Sequence, residues 1–326
     1  MIDIQSLTHT YPGSGKRPPR IALDDLSLDV AEGRFTILSG PNGSGKSTLF
    51  RILCGLALPS AGTVRVGGFD LLAQPAQVRR LLGVVFQSPA VDKQLSVAEN
   101  LRLQADLYGI RGSDYARRRD EALAWTDLGE RLGHKVDTLS GGLARQVELA
   151  KVLMTRPRVL LLDEPTTGLD PASRRNFLSA LRRLQRELGM TVLMTSHVFS
   201  EAEDADRVAI LREGRLLAHD TPQALKALIG TEMVVVQPAG DVEGLAQSLR
   251  DDLGLAVRRH GDELRLEETE NGAGLPLLET ILQRWHAQVR SISIRQPDLD
   301  DVFIHVTGLS APAPASIPSP APESVP

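Results

Sequence analysis

The sequence predicts an α/β fold in which a mainly parallel sheet is flanked by helices. Short apolar runs with β-branched residues recur along the first 220 residues, and helical patterns follow several of them. This alternation favours parallel strands that are joined through helices. The chain has 326 residues, which is long enough for about two domains.

Five runs in the first part of the chain are strand candidates, because each is short, apolar and bounded by polar or turn-forming residues. In chain order they are RFTILS, LLGVVFQ, RVLLLDEP, TVLMTSH and RVAILREG. Between about residues 100 and 135 there is no strand signal, and ENLRLQADLYGI and SDYARRRDEALAWTDLGE predict two helices. We therefore expect a helical subdomain at about residues 88–155, inside a first domain of residues 1–221.

The pattern changes in the last third of the chain. Residues 222–308 contain three strand candidates, EMVVVQ, ELRLEE and RSISIRQ, and two helical patterns, DVEGLAQSLRDDLG and LPLLETILQRWHAQV. They predict a small α+β domain. Residues 309–326 are rich in Pro, Ala and Ser. Such a segment cannot bury enough apolar surface to fold, so we predict a disordered tail.

The composition limits where the protein acts and on what. The net charge of −4 gives no indication of nucleic-acid binding, and no apolar run approaches the roughly 18 residues needed to cross a membrane. The N-terminus has an early acid and no apolar segment of the kind that a signal peptide needs. The single cysteine, Cys54, cannot form an intramolecular disulfide. We expect a cytoplasmic protein.

A glycine-rich run ending in lysine occurs twice, and only the second copy has the full phosphate-loop pattern G-x-x-x-x-G-K-[ST]. The first copy, GSGK at residues 13–16, lacks the upstream glycine and runs into two prolines, so we expect a flexible basic surface loop. The second copy follows RFTILS and opens the helical pattern STLFRILCGL, so its backbone N–H groups can converge on an anion. Its residues are Gly40, Pro41, Asn42, Gly43, Ser44, Gly45, Lys46, Ser47 and Thr48.

Two residues of this loop and two acids farther along the chain predict nucleotide chemistry. Lys46 is expected to reach the β- and γ-phosphates, and Ser47 to ligate Mg²⁺. Asp163 ends an apolar strand that can aim its carboxylate at the Mg²⁺ water shell. Glu164 follows it and can polarise a water for attack on the γ-phosphate. The loop by itself leaves kinases, GTPases and ATPases open.

With these motifs in place, residues 2 to about 225 resemble the ATP-binding subunit of an ABC transporter. LSGGLARQVELA, residues 139–150, is similar to the family signature, and VVFQSP, TTGLDP and MTSH match its Q-loop, D-loop and switch histidine. The resemblance implies catalytic roles for Gln87 and His197 beside Glu164, with Gln87 also at the metal. It also implies nucleotide contacts from Tyr11, Ser140, Gly141, Gly142 and Asp170.

The signature has a physical reading as well. It directly precedes a helical pattern, so it forms a second helix N-terminus suited to a γ-phosphate. The phosphate loop already occupies one side of the nucleotide. The resemblance therefore implies that the signature of a second subunit covers the same ATP.

Several positions depart from the common family pattern. Leu143 stands where the family often has Gln, which resembles the drug-resistance, daunorubicin-type exporter branch, and Gln146 replaces a common Arg. The ending ISIRQPDLDDVFIHVTG is similar to the C-terminal domain of that branch. The insertion GSGKRPPR after Tyr11 can shift that ring relative to adenine.

The resemblance implies an ATP-binding and ATP-hydrolysing subunit that uses Mg²⁺ and energises export of an unknown cargo through a separate membrane permease. It implies a homodimer, or a dimer with a closely related ATPase subunit, peripheral on the inner face of the cell membrane and without nucleic acid. One alternative is a soluble ABC-type ATPase that acts on nucleic acid or ribosomes; the single cassette, with only short helices between Gln87 and the signature, argues against it. A second alternative is a kinase or a regulator without turnover, against which Glu164 and LSGG argue.

Overall fold

The computed structural model describes residues 1–13, 18–267 and 274–308 and divides the chain into two units between Pro222 and Gln223. The predicted domain boundary lies one residue earlier. Most of the first GSGK copy and the predicted disordered tail, residues 309–326, lie outside the described residues. Within the described ranges, no helix is long and apolar enough to cross a membrane.

The first unit contains two sheets. Its strands are β1 (Ile2–Tyr11), β2 (Arg20–Val30), β3 (Phe35–Ser39), β4 (Ala61–Val66), β5 (Phe69–Asp70), β6 (Leu82–Val85), β7 (Val159–Asp163), β8 (Thr191–Ser196), β9 (Arg207–Arg212) and β10 (Arg215–Asp220). The larger sheet has the order β10-β9-β3-β8-β7-β6, in which only β10 is antiparallel to its neighbour. The smaller sheet, β2-β1-β4-β5, is antiparallel throughout.

The larger sheet explains the apolar runs of the sequence. All five residues of β3 and all six of β8 are buried, because helices or sheet cover both faces of a parallel sheet. The five predicted strands are therefore present, and the mainly parallel α/β fold is confirmed. The antiparallel sheet was not predicted as a separate layer.

The helices of the first unit pack around the larger sheet and extend into the predicted helical subdomain. They are α1 (Lys46–Leu53), α2 (Pro75–Leu81), α3 (Val97–Leu107), α4 (Gly112–Leu123), α5 (Gly141–Leu153) and α6 (Pro171–Leu188), with short 3-10 turns at Gly129–Arg131, Val136–Thr138 and Phe199–Glu201. α3 begins at a complete capping box, in which the Ser96 hydroxyl accepts from the Glu99 N–H and the Glu99 carboxylate accepts from the Ser96 N–H.

The core of the first unit lies where α1 meets both sheets. Leu49 and Ile52 on α1 are fully buried in one cluster with Leu7 of the antiparallel sheet and Leu161 and Leu193 of the parallel sheet. Helix α1, which continues from the phosphate loop, is thus fixed by apolar contacts on two sides. This packing determines where the loop residues point.

The second unit is a small α+β structure. Its elements are α7 (Pro222–Ala227), which starts at the division, β11 (Met233–Pro238), α8 (Val242–Leu253), β12 (Val257–His260), β13 (Glu263–Glu267), α9 (Gly274–Trp285), a 3-10 turn (His286–Gln288), β14 (Val289–Arg295) and α10 (Leu299–Thr307). The four strands form an antiparallel sheet of order β12-β13-β11-β14. β12 and α10 were not predicted.

A buried ionic contact helps to hold α10 in place. The Asp301 side chain is 1% exposed, and its carboxylate accepts hydrogen bonds from Arg265 on β13 and from Arg295 on β14, at 2.6 and 2.7 Å. Two guanidinium groups on one carboxylate compensate the cost of its burial. The acids in PDLDD therefore have an internal structural role in this unit.

Candidate functional site

The site lies at the carboxyl edge of the parallel sheet. Parallel strands bring their carboxyl ends to one edge, and ligands of open α/β sheets bind outside that edge. Here the register pairs Ser39 at the end of β3 with Ser196 at the end of β8, and Thr195 with Asp163 at the end of β7. The loop residues that follow these strands therefore meet.

Glycine is required at two positions of the phosphate loop. Gly40 and Gly45 have φ of 152° and 109°, which L side chains rarely adopt. A Cβ at Gly40 would lie 2.2 Å from the carbonyl oxygen of Leu211, and one at Gly45 would lie 2.7 Å from that of Ala22. The neighbouring backbone thus leaves room for the loop only without these side chains.

Lys46 is held inside the loop. Its ammonium donates to the carbonyl oxygens of Gly40 at 2.7 Å and Pro41 at 3.2 Å, and the residue is only 4% exposed. Burial lowers the pKa of Lys46, while the nearby carboxylates of Glu164 and Asp163 act in the opposite direction. The loop therefore presents a fixed cation at its centre.

One hydroxyl group links the two acids that follow β7. Thr195 donates to Asp163 Oδ1 at 2.7 Å and accepts from the backbone N–H of Glu164 at 2.9 Å. Burial raises the pKa of the Asp163 carboxyl, and the hydrogen bond from Thr195 opposes that rise. Thr195 thereby orients both residues. It was not among the predicted site residues, because a Thr in the apolar strand TVLMTS carries no distinctive signal.

Three other side chains contact the Glu164 carboxylate. Its Oε2 accepts from Gln87 Nε2 at 3.2 Å and from Thr167 Oγ1 at 3.4 Å, and lies 3.3 Å from His197 Nδ1. Glu164 has a φ of 43°, so its backbone is in the left-handed region. The structure thus brings together Gln87, Glu164 and His197, which lie far apart in the sequence.

A cavity of about 200 Å³ opens beside the phosphate loop. Tyr11 lies at one side, where its hydroxyl is 3.2 Å from Thr48 Oγ1 and its ring contacts the edge of His9. The lining consists of Tyr11, Arg20, Ala22, Asn42, Gly43, Gly45, Lys46, Ser47, Thr48 and Glu164. Arg20 was not predicted. It reaches the site because β2 pairs with β1 in a register that sets Arg20 opposite Tyr11.

The signature residues and Asp170 are not among the residues that line this cavity. The Ser140 hydroxyl caps α5 by accepting from the Leu143 N–H at 3.3 Å. Asp170 caps α6 by accepting from the N–H groups of Ala172 and Ser173, both at 3.0 Å. A hydrogen bond from the Ser173 side chain, together with these backbone bonds, holds the pKa of Asp170 below its usual value. Both positions are therefore exposed helix N-termini within the described chain.

Gln146, the second departure in the signature, has local partners. Its side-chain amide exchanges two hydrogen bonds with Asp127, one to the carboxylate at 2.9 Å and one from the backbone N–H at 2.7 Å. These bonds tie α5 to the segment that precedes it. Gln146 therefore acts in packing rather than in the cavity.

The donor atoms at the loop fit a magnesium ion that is shared with a nucleotide. Ser47 is exposed at the cavity and carries a hydroxyl oxygen. Asp163 carries a carboxylate oxygen at the end of β7 and is not among the residues that line the cavity. Among the described residues, no three His, Cys, Asp or Glu side chains form a metal cluster. Mg²⁺ needs no such cluster where phosphates and water complete its octahedron.

Comparison with known proteins gives consistent matches over most of the chain. The family model described as ABC transporter matches residues 23–167. The chain is 37% identical to the daunorubicin resistance ATP-binding protein DrrA3 of Streptomyces coeruleorubidus, over 92% of this chain and 95% of that protein. It is 36% identical to the daunorubicin/doxorubicin resistance ATP-binding protein DrrA of Streptomyces peucetius, over 94% and 92%.

Solved structures match as well. A dimeric ATP-binding cassette in a post-hydrolysis state, bound to ADP and Pi, superposes with a TM-score of 0.60 at 28% identity, covering 68% of this chain and 98% of that one. The cbiO1 protein from Clostridium perfringens, part of the ABC transporter complex cbiONQ, has a TM-score of 0.64 at 26% identity and covers 78% and 95%. These neighbours confirm the predicted phosphate-loop fold.

Proposed function

The chain belongs to the ABC transporter ATP-binding proteins, and from this membership we propose that it energises export through a separate membrane permease. It is an ATPase that binds ATP and uses Mg²⁺. Its relatives at 36–37% identity are daunorubicin resistance ATP-binding proteins, which confirms the predicted branch.

In our proposal the phosphate loop and its lysine hold the triphosphate. The backbone N–H groups of residues 43–48 converge at the N-terminus of α1, where a helix favours an anion. Lys46 exchanges its contacts with Gly40 and Pro41 for contacts with phosphate oxygens. Tyr11 and Arg20 supply a ring and a cation at the outer side of the cavity.

Ser47 and Asp163 would hold Mg²⁺, with Gln87 near it. When bound, Mg²⁺ neutralises charge on the β- and γ-phosphates. Thr195 keeps the Asp163 carboxylate oriented for this role.

Convergence on Glu164 is the observation that carries the proposed catalytic role. A carboxylate that already accepts hydrogen bonds from Gln87 and Thr167 is fixed in direction and can accept a proton from an attacking water. His197 Nδ1 lies 3.3 Å from Oε2 of the same carboxylate, and in our proposal this side chain also contacts the γ-phosphate. We propose Glu164 as the general base, with Gln87 and His197 orienting it and the water.

We further propose that two subunits share each ATP. Ser140 and Gly141 are exposed at the N-terminus of α5 and Gly142 is buried beside them, and none of the three lines the cavity of its own phosphate loop. A second subunit could place this helix N-terminus on the γ-phosphate, with Asp170 at the same interface. The dimeric cassette bound to ADP and Pi supports this arrangement.

The permease would dock beside the loop that carries Gln87. A cavity of about 260 Å³ is lined by Phe86 of that loop and by two exposed apolar side chains, Tyr108 at 61% and Leu56 at 58%. Leu107, which precedes Tyr108 at the end of α3, is 74% exposed. Clusters of exposed apolar residues of this kind mark interaction surfaces. In our proposal this surface holds the chain on the inner face of the cell membrane.

The test of the catalytic role is Glu164→Gln, which keeps the shape of the side chain and removes its charge. Steady-state phosphate release is expected to fall at least about 100-fold, and ATP-dependent dimers should persist in size-exclusion chromatography. Glu187→Gln, on the exposed face of α6, is the matched control and should retain full turnover. Normal turnover in Glu164→Gln would assign the general base to another residue.

Docking is tested by co-expression with a candidate membrane permease, a protein that co-purifies with this chain from membranes. Leu107→Glu should release the chain from membranes that contain that protein and leave the ATPase rate of the isolated chain unchanged. Leu188→Glu, at an equally apolar and 55% exposed position on α6, is the control. Equal membrane binding of both variants would place the docking surface elsewhere.

A further inference from the structure

The loop that carries Gln87 has no regular structure of its own. Residues 86–90 follow β6, and all five are exposed. The amide of Gln87 nevertheless reaches Glu164 at 3.2 Å. An exposed irregular loop is normally mobile, so some other contact must fix its backbone.

That contact is a buried ion pair on α5. Arg145 is 1% exposed; its guanidinium donates to the carbonyl oxygens of Phe86 and Gln87, both at 2.5 Å, and to the Glu148 carboxylate at 2.7 Å. The other oxygen of Glu148 accepts from the backbone N–H groups of Ala90 at 3.0 Å and Phe86 at 3.4 Å. Two side chains therefore bind four peptide groups of one short loop.

A third side chain of α5 extends the same contact. Lys151 donates from Nζ to the carbonyl oxygen of Ala90 at 2.6 Å. Arg145, Glu148 and Lys151 are spaced three residues apart on the helix, and we call them the α5 clamp. Burial raises the pKa of the Glu148 carboxyl, while the Ala90 N–H and Arg145 oppose that rise. Because Arg145 and Glu148 are paired with each other and bonded to peptide groups, their charges are compensated although both side chains are buried.

We propose that the α5 clamp is a positioning device for hydrolysis: it fixes the backbone of residues 86–90 so that Gln87 can hold Glu164. This inference rests on the proposed catalytic role of Glu164. The clamp residues touch neither the cavity nor the reacting atoms, so they act through Gln87 and not as catalytic residues. The planar fork of Arg145 suits the task because it binds two adjacent carbonyl groups at once.

The clamp also connects two parts of one subunit, the N-terminus of α5 and the loop that carries Gln87. In the proposed dimer these two parts face different ATP molecules. Ser140 caps the N-terminus of α5, and Arg145, five residues later on the same helix, binds the carbonyl oxygen of Gln87. A displacement of α5 when Ser140 meets a partner's nucleotide would move the Gln87 backbone in its own site. Through the clamp and Gln87, closure at one ATP site would thus change the position of the Glu164 carboxylate at the other site.

A double-mutant cycle tests this. Arg145→Lys keeps the charge but cannot bind both carbonyl groups, and it is expected to lower kcat about tenfold while the KM for ATP changes less than threefold. In a Gln87→Ala background the same substitution should lower kcat less than twofold, because the group that it positions is absent. Equal losses in both backgrounds, a change confined to KM, or no loss of kcat would overturn the proposal.

Amide hydrogen exchange measured by NMR provides a readout besides activity. The Phe86 and Ala90 N–H groups should exchange at least tenfold faster in Arg145→Lys than in the wild type. Arg118→Lys is the matched control, since Arg118 also donates to a backbone carbonyl, that of Met154 at the C-terminal end of α5, but to no group of residues 86–90. Unchanged exchange at both amides in Arg145→Lys would contradict the clamp.

A second variant and the ATPase activity of the wild type separate the possible outcomes. If Arg145→Lys does not fold, Lys151→Met removes one clamp contact without leaving a buried charge, and it should give a smaller effect with the same dependence on Gln87. A wild-type chain without ATPase activity would refute the proposed function, whereas an active wild type with an additive cycle would refute the clamp alone.

Discussion

Lys46 is the residue whose role can be isolated most directly. Lys46→Ala removes a buried cation from the centre of the loop. Hydrogen bonds to charged groups contribute about 1.5–3 kcal/mol each, so we expect ATP affinity to fall at least about tenfold. A titration with fluorescent nucleotide measures it. Lys16→Ala, in the first GSGK copy, should change affinity less than twofold; a reversed pattern would place the phosphate site in that copy.

Cys54 should be chemically inert in the folded chain. Burial, with a smaller contribution from Asp163, raises its pKa to about 12. The thiol is therefore protonated well above neutral pH, and only the thiolate is an effective nucleophile. We expect alkylation by iodoacetamide at pH 8 to be at least about 100-fold slower in the native protein than in denaturant, followed by mass spectrometry. Equal rates would show an accessible, ionised thiol.

Single residues were predictable where chemistry requires a fixed letter pattern. The phosphate loop has such a pattern because backbone geometry requires glycine at positions such as Gly40 and Gly45. Thr195 and Arg20 were missed for different reasons. Thr195 contributes an ordinary hydroxyl in an apolar strand, and Arg20 reaches the cavity only through the pairing of β1 with β2. Neither role can be read from the sequence, because each depends on contacts that form only when the strands pair.

At the scale of elements, the contact between α5 and α6 depends on Gly142. A Cβ at this position would lie 2.6 Å from Ser173 Oγ and 2.7 Å from Ser173 Cβ. Overpacking of this kind costs about 1–3 kcal/mol. Gly142→Ala is therefore expected to melt about 2–10 °C below Gly141→Ala, in scanning calorimetry.

Gly141→Ala is the matched control for this prediction. It gains the same helix-favouring methyl group, but its nearest atom beyond the helix is Leu169 Cδ2 at an ordinary 3.8 Å. In a Ser173→Gly background the Gly142 penalty should disappear, because the clashing atoms are absent. A penalty that persists there would refute the steric explanation.

Elements were predictable where burial gives a regular pattern. β3, β7 and β8 are rich in apolar residues and buried along almost their whole length, because both of their faces are covered. The antiparallel sheet lacks such a signal: β5 has only two residues, and β1 carries register shifts that interrupt its alternation. α10 was missed although its start carries a helix signal: Asp298 is the N-cap, and Asp301 completes the capping box and binds Arg265.

At the scale of the whole molecule, the proposed shared site makes a prediction about mixed dimers. Lys46→Ala disables the phosphate loop, and Ser140→Arg places a bulky cation at the signature. Each homodimer then has two defective sites. In a mixed dimer with sites shared between subunits, both defects fall on one site and the other is intact.

We therefore expect one occluded ATP per mixed dimer, measured by rapid filtration with labelled nucleotide. Occlusion is the better measurement because turnover can require both sites. If each subunit completed its own site, every site in the mixture would remain defective. The absence of occluded ATP in dimers proved to be mixed would therefore contradict the shared arrangement.

The strand order also constrains how the chain is made. β3, which leads into the phosphate loop, lies between β8 and β9 in the sheet, and β9 ends about 170 residues after β3. At about 5–20 residues per second, a ribosome needs roughly 10–35 s to add that length. For most of this interval, until β8 is complete at Ser196, a strand that is wholly buried in the fold has no partner on either side and can pair with other chains. In a nascent chain, β3 therefore has both of its sheet neighbours only after residue 212 has been added.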